Sequence, residues 1–253
     1  MTGAAGAEVG AARAGAPAST RAEQRAAALE ALRAEIVECR ACPRLVEWRE
    51  RVAREKVARF RDETYWGRPA PGFGDPAARL LIVGLAPAAH GANRTGRVFT
   101  GDASGDFLWS ALHALGLADR PSSRRAGDGL TLTGVRIAAA VRCAPPANKP
   151  TIEERDTCAP FLARELAILD EVQVILALGQ FGWDAVLRVL AGAGEPVPRP
   201  RPRFGHGAEV AIGERTLVGS YHPSQQNTFT GRLTRPMFQA VLAQATGLGA
   251  PSR

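Results

Sequence analysis

A chain of 253 residues, 45% hydrophobic and 23% charged, is long enough to bury a full core in one large domain. The net charge of +7 favours an anionic partner such as nucleic acid only modestly, because nearly all basic residues are arginine in an alanine- and glycine-rich chain, which is typical of a GC-rich genome. No run approaches the roughly 20 apolar residues that span a bilayer, and residues 1–20 lack the apolar segment of a secretory signal. We therefore expect a cytoplasmic protein with no membrane partner, a disordered extension over residues 1–20 (a transit peptide is the weaker alternative) and a single domain over residues 21–253.

Helical and strand-like patterns alternate along the chain. The first two helices are predicted over residues 21–38 and 44–61, and residues 65–76 are too rich in glycine and proline to be regular. Strands over 79–85, 134–141, 172–178 and 209–219 then alternate with helices over 105–117, 151–169, 181–190 and 234–248. This repetition implies a parallel sheet covered on both faces, so we predict an α/β fold with three α/β/α layers around a central four-stranded parallel sheet.

The chain has four cysteines, at Cys39, Cys42, Cys143 and Cys158. In a cytosolic protein, cysteines argue against structural disulfides and for metal or redox chemistry, and the C-x2-C spacing of the first two lets both thiolates bind one metal centre. Tetrahedral zinc and a [4Fe–4S] cluster both fit a set of four thiols, and the spacing does not choose between them. Incidental buried cysteines are the alternative.

Two dense motifs, residues 84–104 and 220–234, each follow a predicted strand. The carboxyl ends of parallel strands meet at one edge of a sheet, where α/β proteins bind ligands, so we expect the active site there. His222 either has a structural role, as a lone histidine usually does, or donates a hydrogen bond to a developing anion, and Phe99 either stacks on a flat ring or packs in the core. Asp102 either caps the next helix or positions a water, and Asn148 either serves a turn or faces the same edge.

These motifs and others, in order along residues 39–248, resemble the uracil-DNA glycosylase superfamily, and specifically its iron–sulfur type-b enzymes, family 5. The matching residues are Gly84-Leu-Ala-Pro87, His90-Gly91, Asn93-Arg-Thr-Gly-Arg97, Phe99-Thr-Gly-Asp102, Arg142-Cys-Ala-Pro-Pro146, Asn148-Lys-Pro150, Tyr221-His222, Gln226-Asn-Thr228 and Thr230-Gly-Arg-Leu-Thr234. The resemblance implies a [4Fe–4S] cluster on the four cysteines, a choice that the spacing left open.

The resemblance also implies roles for individual residues. Phe99 would stack on an everted base, His222 would stabilise negative charge on the departing base, Asp102 would position the hydrolytic water and Asn148 would assist. The substrate pocket would comprise Gly84, Ala86, Pro87, His90 and Phe99. DNA contacts are expected from Asn93, Arg94, Gln226, Asn227, Thr228, Arg232 and Leu233, the last as a wedge or as packing at a helix start.

One departure from the wider superfamily concerns base recognition. Many relatives have Asp or Asn where this chain has Ala86, and an Asn on the second strand where Ala138, Ala139 and Ala140 stand. Without that amide the pocket should discriminate less, in agreement with the broad specificity of type-b enzymes. It also leaves open which residue activates the water.

We therefore expect a monomeric, monofunctional DNA glycosylase that removes uracil, hypoxanthine and xanthine from double-stranded DNA and leaves an abasic-site product. Neither motif has a lysine to form a Schiff base, so no lyase step is expected. The enzymatic rival is a superfamily member with altered chemistry, such as covalent capture of the abasic sugar. The non-enzymatic rival is an iron–sulfur module that binds abasic or damaged DNA.

Overall fold

The structure, a computed structural model, describes residues 20–248, so the predicted extension lies outside the described residues except for Thr20. The helices are α1 (Arg21–Glu38), α2 (Pro43–Glu55), α3 (Ala92–Thr95), α4 (Ala103–Ala114), α5 (Ile152–Ile168), α6 (Gln180–Gly192), α7 (Gln225–Phe229) and α8 (Arg235–Leu248). The strands are β1 (Phe73–Gly74), β2 (Leu80–Gly84), β3 (Val135–Ala139), β4 (Val174–Leu178), β5 (Glu209–Ile212) and β6 (Arg215–Ser220), and short 3-10 helices lie at Ala58–Phe60 and Pro146–Asn148. Between residues 20 and 248, no helix combines the length and apolarity needed to cross a membrane.

The starts of α1 and α5 follow from local sequence. The side chains of Thr20 and Thr151 each accept a hydrogen bond from the backbone N–H three residues on, and the carboxylates of Glu23 and Glu154 at those positions accept one from the backbone N–H of the cap residue. This capping box satisfies two of the free donors at a helix start. By contrast, the helix predicted over 44–61 ends at Glu55, because Lys56 adopts a positive φ of 55° that a helix does not continue through.

The central sheet has the order β1-β3-β2-β4-β6-β5. The four inner strands β3, β2, β4 and β6 pair in parallel, which confirms the predicted four-stranded parallel core. Two antiparallel edge strands were not predicted: β1 falls in the segment expected to be irregular, and the strand predicted over 209–219 is the hairpin of β5 and β6. The hairpin turns at Gly213, whose φ of 57° favours glycine.

Helices cover both faces of the sheet, as predicted. Trp109 of α4 and Phe238 of α8 are fully buried against one face, on residues such as Ile82. The other face packs on α1, α5 and α6, where Leu162 and Trp183 are buried against residues such as Leu81. Because side chains alternate along a strand, the consecutive Leu81 and Ile82 serve opposite layers, and the inner strands are buried throughout.

The buried carboxylate of Glu165 in α5 joins this helix to β3, the strand that pairs with edge strand β1. Glu165 accepts hydrogen bonds from Arg136 Nε at 2.6 Å and from Arg142 Nη2 at 2.5 Å, and all three side chains are buried. Although burial opposes its ionisation, the two guanidinium groups hold the pKa of Glu165 below its usual range. Arg136 also donates to the carbonyl of Gly72, so this ion triad fixes the loop before β1 as well.

Candidate active site

A cleft of about 660 Å³ opens at the carboxyl edge of the sheet. The loop after β2, the 3-10 helix after β3 and the start of α7 border it. Its lining includes the predicted site residues His90, Arg94, Asp102 and Asn148, together with Gln225. The sheet edge thus brings together residues far apart in the sequence, as the parallel topology predicts.

Asp102 lies in this cleft and also caps a helix. Its Oδ1 accepts a hydrogen bond of 2.9 Å from the backbone N–H of Gly105, in the first turn of α4. Burial raises the pKa of the carboxyl, although N–H groups of Gly105 and Ser104 partly oppose the shift. The sequence left capping and water positioning as alternatives, and the geometry is compatible with both.

Phe99 and His222 form a stacked pair of rings, with centroids 5.8 Å apart and planes inclined by 29°. Phe99 has a positive φ of 51°, which is costly for an aromatic residue, and Trp109 Nε1 holds its carbonyl with a hydrogen bond of 2.6 Å. Gly84 makes room for the ring, because a Cβ there would lie 2.6 Å from Phe99 Cζ. The predicted pocket residues Gly84 and Phe99 are therefore in direct contact.

His222 is held by the helix that follows it. Asn227 Nδ2 donates a hydrogen bond of 2.8 Å to the carbonyl of His222, so this amide is used within the protein rather than offered to DNA. Burial lowers the pKa of His222 from 6.5 to about 4, which makes the imidazole neutral at physiological pH. The sequence placed Asn227 on DNA and did not indicate this contact.

The remaining predicted pocket residues lie along the loop after β2. His90 lines the cleft, and its Nδ1 is 3.1 Å from the hydroxyl of Tyr65; burial lowers the pKa of this histidine. Pro87 is buried. Ala86 packs against Leu45 and the cysteine region instead.

Two residues predicted to contact DNA are buried. Asn93 is 0% exposed and donates from Nδ2 to the carbonyl of Arg49 at 3.1 Å, which ties α3 to α2. Leu233 is 1% exposed in the core beside α8, where it packs at the helix start, the second of its two predicted roles, and has no surface with which to act as a wedge. A side chain without exposed surface does not reach DNA.

A third predicted DNA contact, Arg94, is committed to the protein. Its Nε, Nη1 and Nη2 donate to the carbonyl of His90, to Glu63 and to the carbonyl of Gly101, and its guanidinium lies 3.8 Å from the ring centroid of Phe60. Arg94 therefore braces the wall of the cleft that it lines.

The segment after His222 forms the short helix α7, which Ser224 caps by accepting from the N–H of Asn227. Gln226 is exposed and Thr228 is half-buried. Phe229, which the sequence analysis did not single out, is 80% exposed at the end of α7. Arg232 is also exposed and lies 4.6 Å from the ring centroid of Tyr221.

Asn148 reaches the cleft through an unusual turn. Both Ala147 and Asn148 have positive φ angles, 52° and 54°, within the 3-10 helix after β3. Asn tolerates this conformation better than most residues, whereas for Ala147 it is strained. Such strain often marks a functional segment.

The four cysteines line one cavity between α2, the end of β3 and α5. Arg49 Nη1 donates to Cys143 Sγ at 3.0 Å, and the N–H of Arg142 donates to Cys158 Sγ at 3.3 Å. Burial raises the pKa of Cys143 to about 12 and that of Cys158 to about 11, so a bound cation would be needed to keep them as thiolates. In the described range 20–248, no three Cys, His, Asp or Glu side chains are arranged to hold a metal ion.

Comparison with protein families adds an independent observation. Residues 71–246, which include all the candidate catalytic residues, match the model of the uracil DNA glycosylase superfamily. The chain belongs to this superfamily.

Several uracil-DNA glycosylases resemble the chain over most of its length. The chain is 54% identical to the type-5 uracil-DNA glycosylase of Mycobacterium tuberculosis over 219 residues, and this alignment covers 86% of the chain and 80% of the relative. Identity to the type-5 uracil-DNA glycosylase of Thermus thermophilus is 55% over 211 residues, 83% of this chain and 93% of the relative. The type-4 uracil-DNA glycosylase of Pyrobaculum aerophilum is 32% identical over 161 residues, 63% of this chain and 74% of the relative. The predicted family resemblance and the predicted class of enzyme, a DNA glycosylase, are thereby confirmed.

Proposed function

We propose that this protein removes uracil, hypoxanthine and xanthine from double-stranded DNA by hydrolysis of the N-glycosidic bond, and releases DNA with an abasic site. The observation that carries the proposal is the Phe99–His222 stack, together with Asp102, which follows Phe99 by three residues and lines the cleft. The two rings are not themselves among the residues that line this cleft. A flat aromatic ring, a neutral hydrogen-bond donor and a carboxylate are the groups this reaction needs. The names of the type-5 relatives support uracil as a substrate.

The charges that develop during the reaction explain why His222 and Asp102 have different roles. As the bond breaks, negative charge develops on the base and positive charge on the sugar. Neutral His222 donates an N–H to the base oxygen without adding a proton, and the carboxylate of Asp102 orients water and faces the sugar. Phe99 stacks on the base once it has left the duplex, and Asn148 assists in holding it or the water.

Small side chains support a broad choice of base. Ala138, Ala139 and Ala140 are buried at the carboxyl end of β3, where many members of the superfamily have an asparagine, and their methyl groups offer no hydrogen bond to a base edge. A site without such an amide selects less between bases, since rejection by unpaired polar groups is lost. Selection then depends on how readily a base leaves the helix, which favours mispaired, deaminated bases.

Opening of the duplex is assigned to α7 and its flank. Phe229 stands exposed within ten residues of His222, where an apolar ring can fill the space that a flipped nucleotide leaves. Gln226 and Thr228 lie on the same short helix and reach the groove or the orphaned base, and Arg232 contacts phosphate. Phe229 thus takes the wedge role that the buried Leu233 does not have.

A [4Fe–4S] cluster is proposed on Cys39, Cys42, Cys143 and Cys158. The donor set fits, because four thiols border one cavity and two sulfurs accept hydrogen bonds from Arg49 and from the backbone. Tetrahedral zinc on the same four thiols is the alternative, and a metal analysis of the purified protein distinguishes about four irons from one zinc. When bound, the cluster would link α1 and α2 to α5 and stabilise the fold.

The proposed setting is the cytoplasm, where thiols stay reduced and DNA is accessible. We propose that the enzyme acts as a monomer and that residues 21–253 form its single domain. No protein partner is needed for the chemistry described.

A base-release assay tests the function. Duplexes that carry uracil, hypoxanthine or xanthine are incubated in single turnover, and abasic sites are counted by alkaline cleavage. His222→Ala should slow release by roughly 10² or more, on the scale of losing one oxyanion donor, whereas the exposed His113, which contacts the carbonyl of Ala118, provides the control variant His113→Ala.

Gel retention of the same duplexes separates the rival functions. A wild-type protein that retains the duplex but releases no base is a damage-binding module, and the proposal is then wrong. A protein–DNA complex that survives denaturation identifies covalent capture instead.

A further inference from the structure

The loop between α4 and β3 is organised around one carboxylate. Asp128 accepts hydrogen bonds from Arg97 Nη1 at 2.6 Å, from Ser123 Oγ at 3.1 Å and from the backbone N–H of Arg124 at 2.8 Å and of Leu130 at 3.1 Å. Although burial opposes ionisation, these donors hold the pKa of Asp128 well below its usual range. The segment 122–129, here called the Asp128 loop, is therefore fixed by buried contacts rather than by chance packing.

This loop is also attached to the wall of the active-site cleft. Arg97 and Ser123 are buried, and Ser123 Oγ lies 3.0 Å from the hydroxyl of Thr100, two residues before Asp102. The N–H of Ala126 donates to the carbonyl of Thr95 at 3.1 Å. The position of the loop is thus set by the same segment that supplies Phe99 and Asp102.

What the loop presents is positive charge. Arg124 and Arg125 are exposed and border the cleft beside Asp102, and within residues 20–248 neither guanidinium has an ion pair or hydrogen bond. Asp106 and Glu63 border the same cleft, but Glu63 is already paired with Arg94. Exposed Arg59, which also lines the cleft, adds a further positive charge.

The cleft continues past Arg125 into a second groove of about 470 Å³, lined by Tyr65, Trp66, Thr95 and Ala126 among others. Arg125 borders both spaces. An extended, repeating anion fits such a path better than a small molecule does, since guanidinium groups bind phosphate through paired hydrogen bonds.

We propose that the Asp128 loop is a phosphate-binding site for the DNA strand next to the flipped nucleotide. Arg124 and Arg125 bind successive phosphates as the strand leaves the cleft, and the strand then follows the groove beside Trp66. The site rests on the proposed glycosylase function, which it deepens by giving the substrate strand a direction. Gln225 at the start of α7 lines the same cleft, so the loop and α7 would both contact the DNA around the damaged nucleotide.

The first test measures the salt dependence of binding. A fluorescently labelled duplex with a tetrahydrofuran abasic analogue is titrated with the wild type and with the double variant Arg124→Ala/Arg125→Ala at several salt concentrations. Each lost phosphate contact should lower the slope of log affinity against log salt by about 0.9, so the double variant should lose about 1.8. The variant Arg124→Lys/Arg125→Lys should recover most of the slope, and Arg21→Ala/Arg33→Ala on α1 removes the same two charges away from the cleft.

The second test separates an ordered loop from charge alone. Asp128→Asn makes the protein more positive, so simple attraction predicts tighter binding, whereas release of the loop predicts weaker binding with a smaller slope. A melting curve shows whether this variant is folded; if it is not, the arginine and lysine variants decide the matter, because both substitutions are on the surface.

The outcomes distinguish this site from the proposed function. A wild-type enzyme that releases uracil while the double alanine variant keeps the wild-type slope overturns the phosphate site alone. A wild type that releases no base, with the predicted loss of slope in the variant, overturns the proposed reaction and supports the site.

Discussion

Asp102 offers the sharpest separation of a structural from a chemical role, because its two candidate functions respond differently to Asp102→Asn. Asn is as good an N-cap as Asp, so the hydrogen bond to the N–H of Gly105 survives the change. The negative charge next to the cleft is lost. We expect base release to slow by roughly 10² to 10⁴, the usual contribution of a positioned acid or base, with little change in affinity for DNA.

Asp102→Asn should not destabilise the folded protein, whereas the loss of a helix cap would. Burial raises the pKa of Asp102 in the folded state, so ionisation of this carboxyl opposes folding as the pH rises through the interval between 3.8 and the raised value. At neutral pH the Asn variant should therefore be as stable as the wild type or more stable. Asp102→Ala, which loses the cap, should cost about 1 kcal/mol, or about 2–4 °C in Tm for a domain of this size.

Thr151 provides the matched control, since it caps α5 without bordering the cleft. Thr151→Ala should lower Tm like Asp102→Ala and retain single-turnover base release. The reasoning is refuted if Asp102→Asn releases uracil at the wild-type rate while its melting temperature falls.

Further predictions concern the residues around the cleft and the cysteine cavity. Asn227→Ala should lower the rate of base release more than the affinity for duplex, because it frees the carbonyl of His222; equal losses in rate and affinity would contradict the positioning role. Phe229→Ala should slow release from duplex but leave single-stranded uracil DNA unaffected, whereas Thr230→Ala should change neither, and a matching loss on both substrates would exclude the wedge. Burial lowers the pKa of His222 to about 4, so below pH 6.5 protons bind the unfolded chain first, and the free energy of unfolding should fall as the pH drops from 6.5 to 4. Urea unfolding at several pH values should show this fall in the wild type, and His222→Ala should not show the part due to His222. Cys42→Ser should lower both the iron content of anaerobically purified protein and its Tm, and wild-type iron in a folded variant would count against the cluster.

Much of the architecture could be predicted because local signals agree with it. Thr20 and Thr151 carry capping boxes at the helix starts, and the apolar runs of the inner strands are buried on both faces. The prediction was wrong for residues 209–219, where an apolar run hid a two-residue turn at Gly213 and Glu214. The edge strand β1 has only two residues, too few for periodicity to indicate.

The site was predictable by position but not by contact. Motifs after parallel strands placed Asp102, Asn148 and His222 at one edge, which follows from topology. The burial of Leu233 and the contact from Asn227 to His222 depend on how α7 folds back on the core, and no local pattern carries that information. The exposure of Phe229 is likewise a tertiary property, although an aromatic residue in a polar segment was a signal available in the sequence.

The buried carboxylate of Glu165 restricts which substitutions the protein can accept at positions 72 and 165. A Cβ at Gly72 would lie 2.0 Å from Oε1 of Glu165, so even alanine at position 72 requires the carboxylate to move. Shortening Glu165 to make room would leave Arg136 and Arg142 buried with uncompensated charge. Neither residue can be substituted alone without cost. We therefore expect homologues that keep this loop to keep both the glycine and the glutamate, and to replace them only together with changes at neighbouring positions.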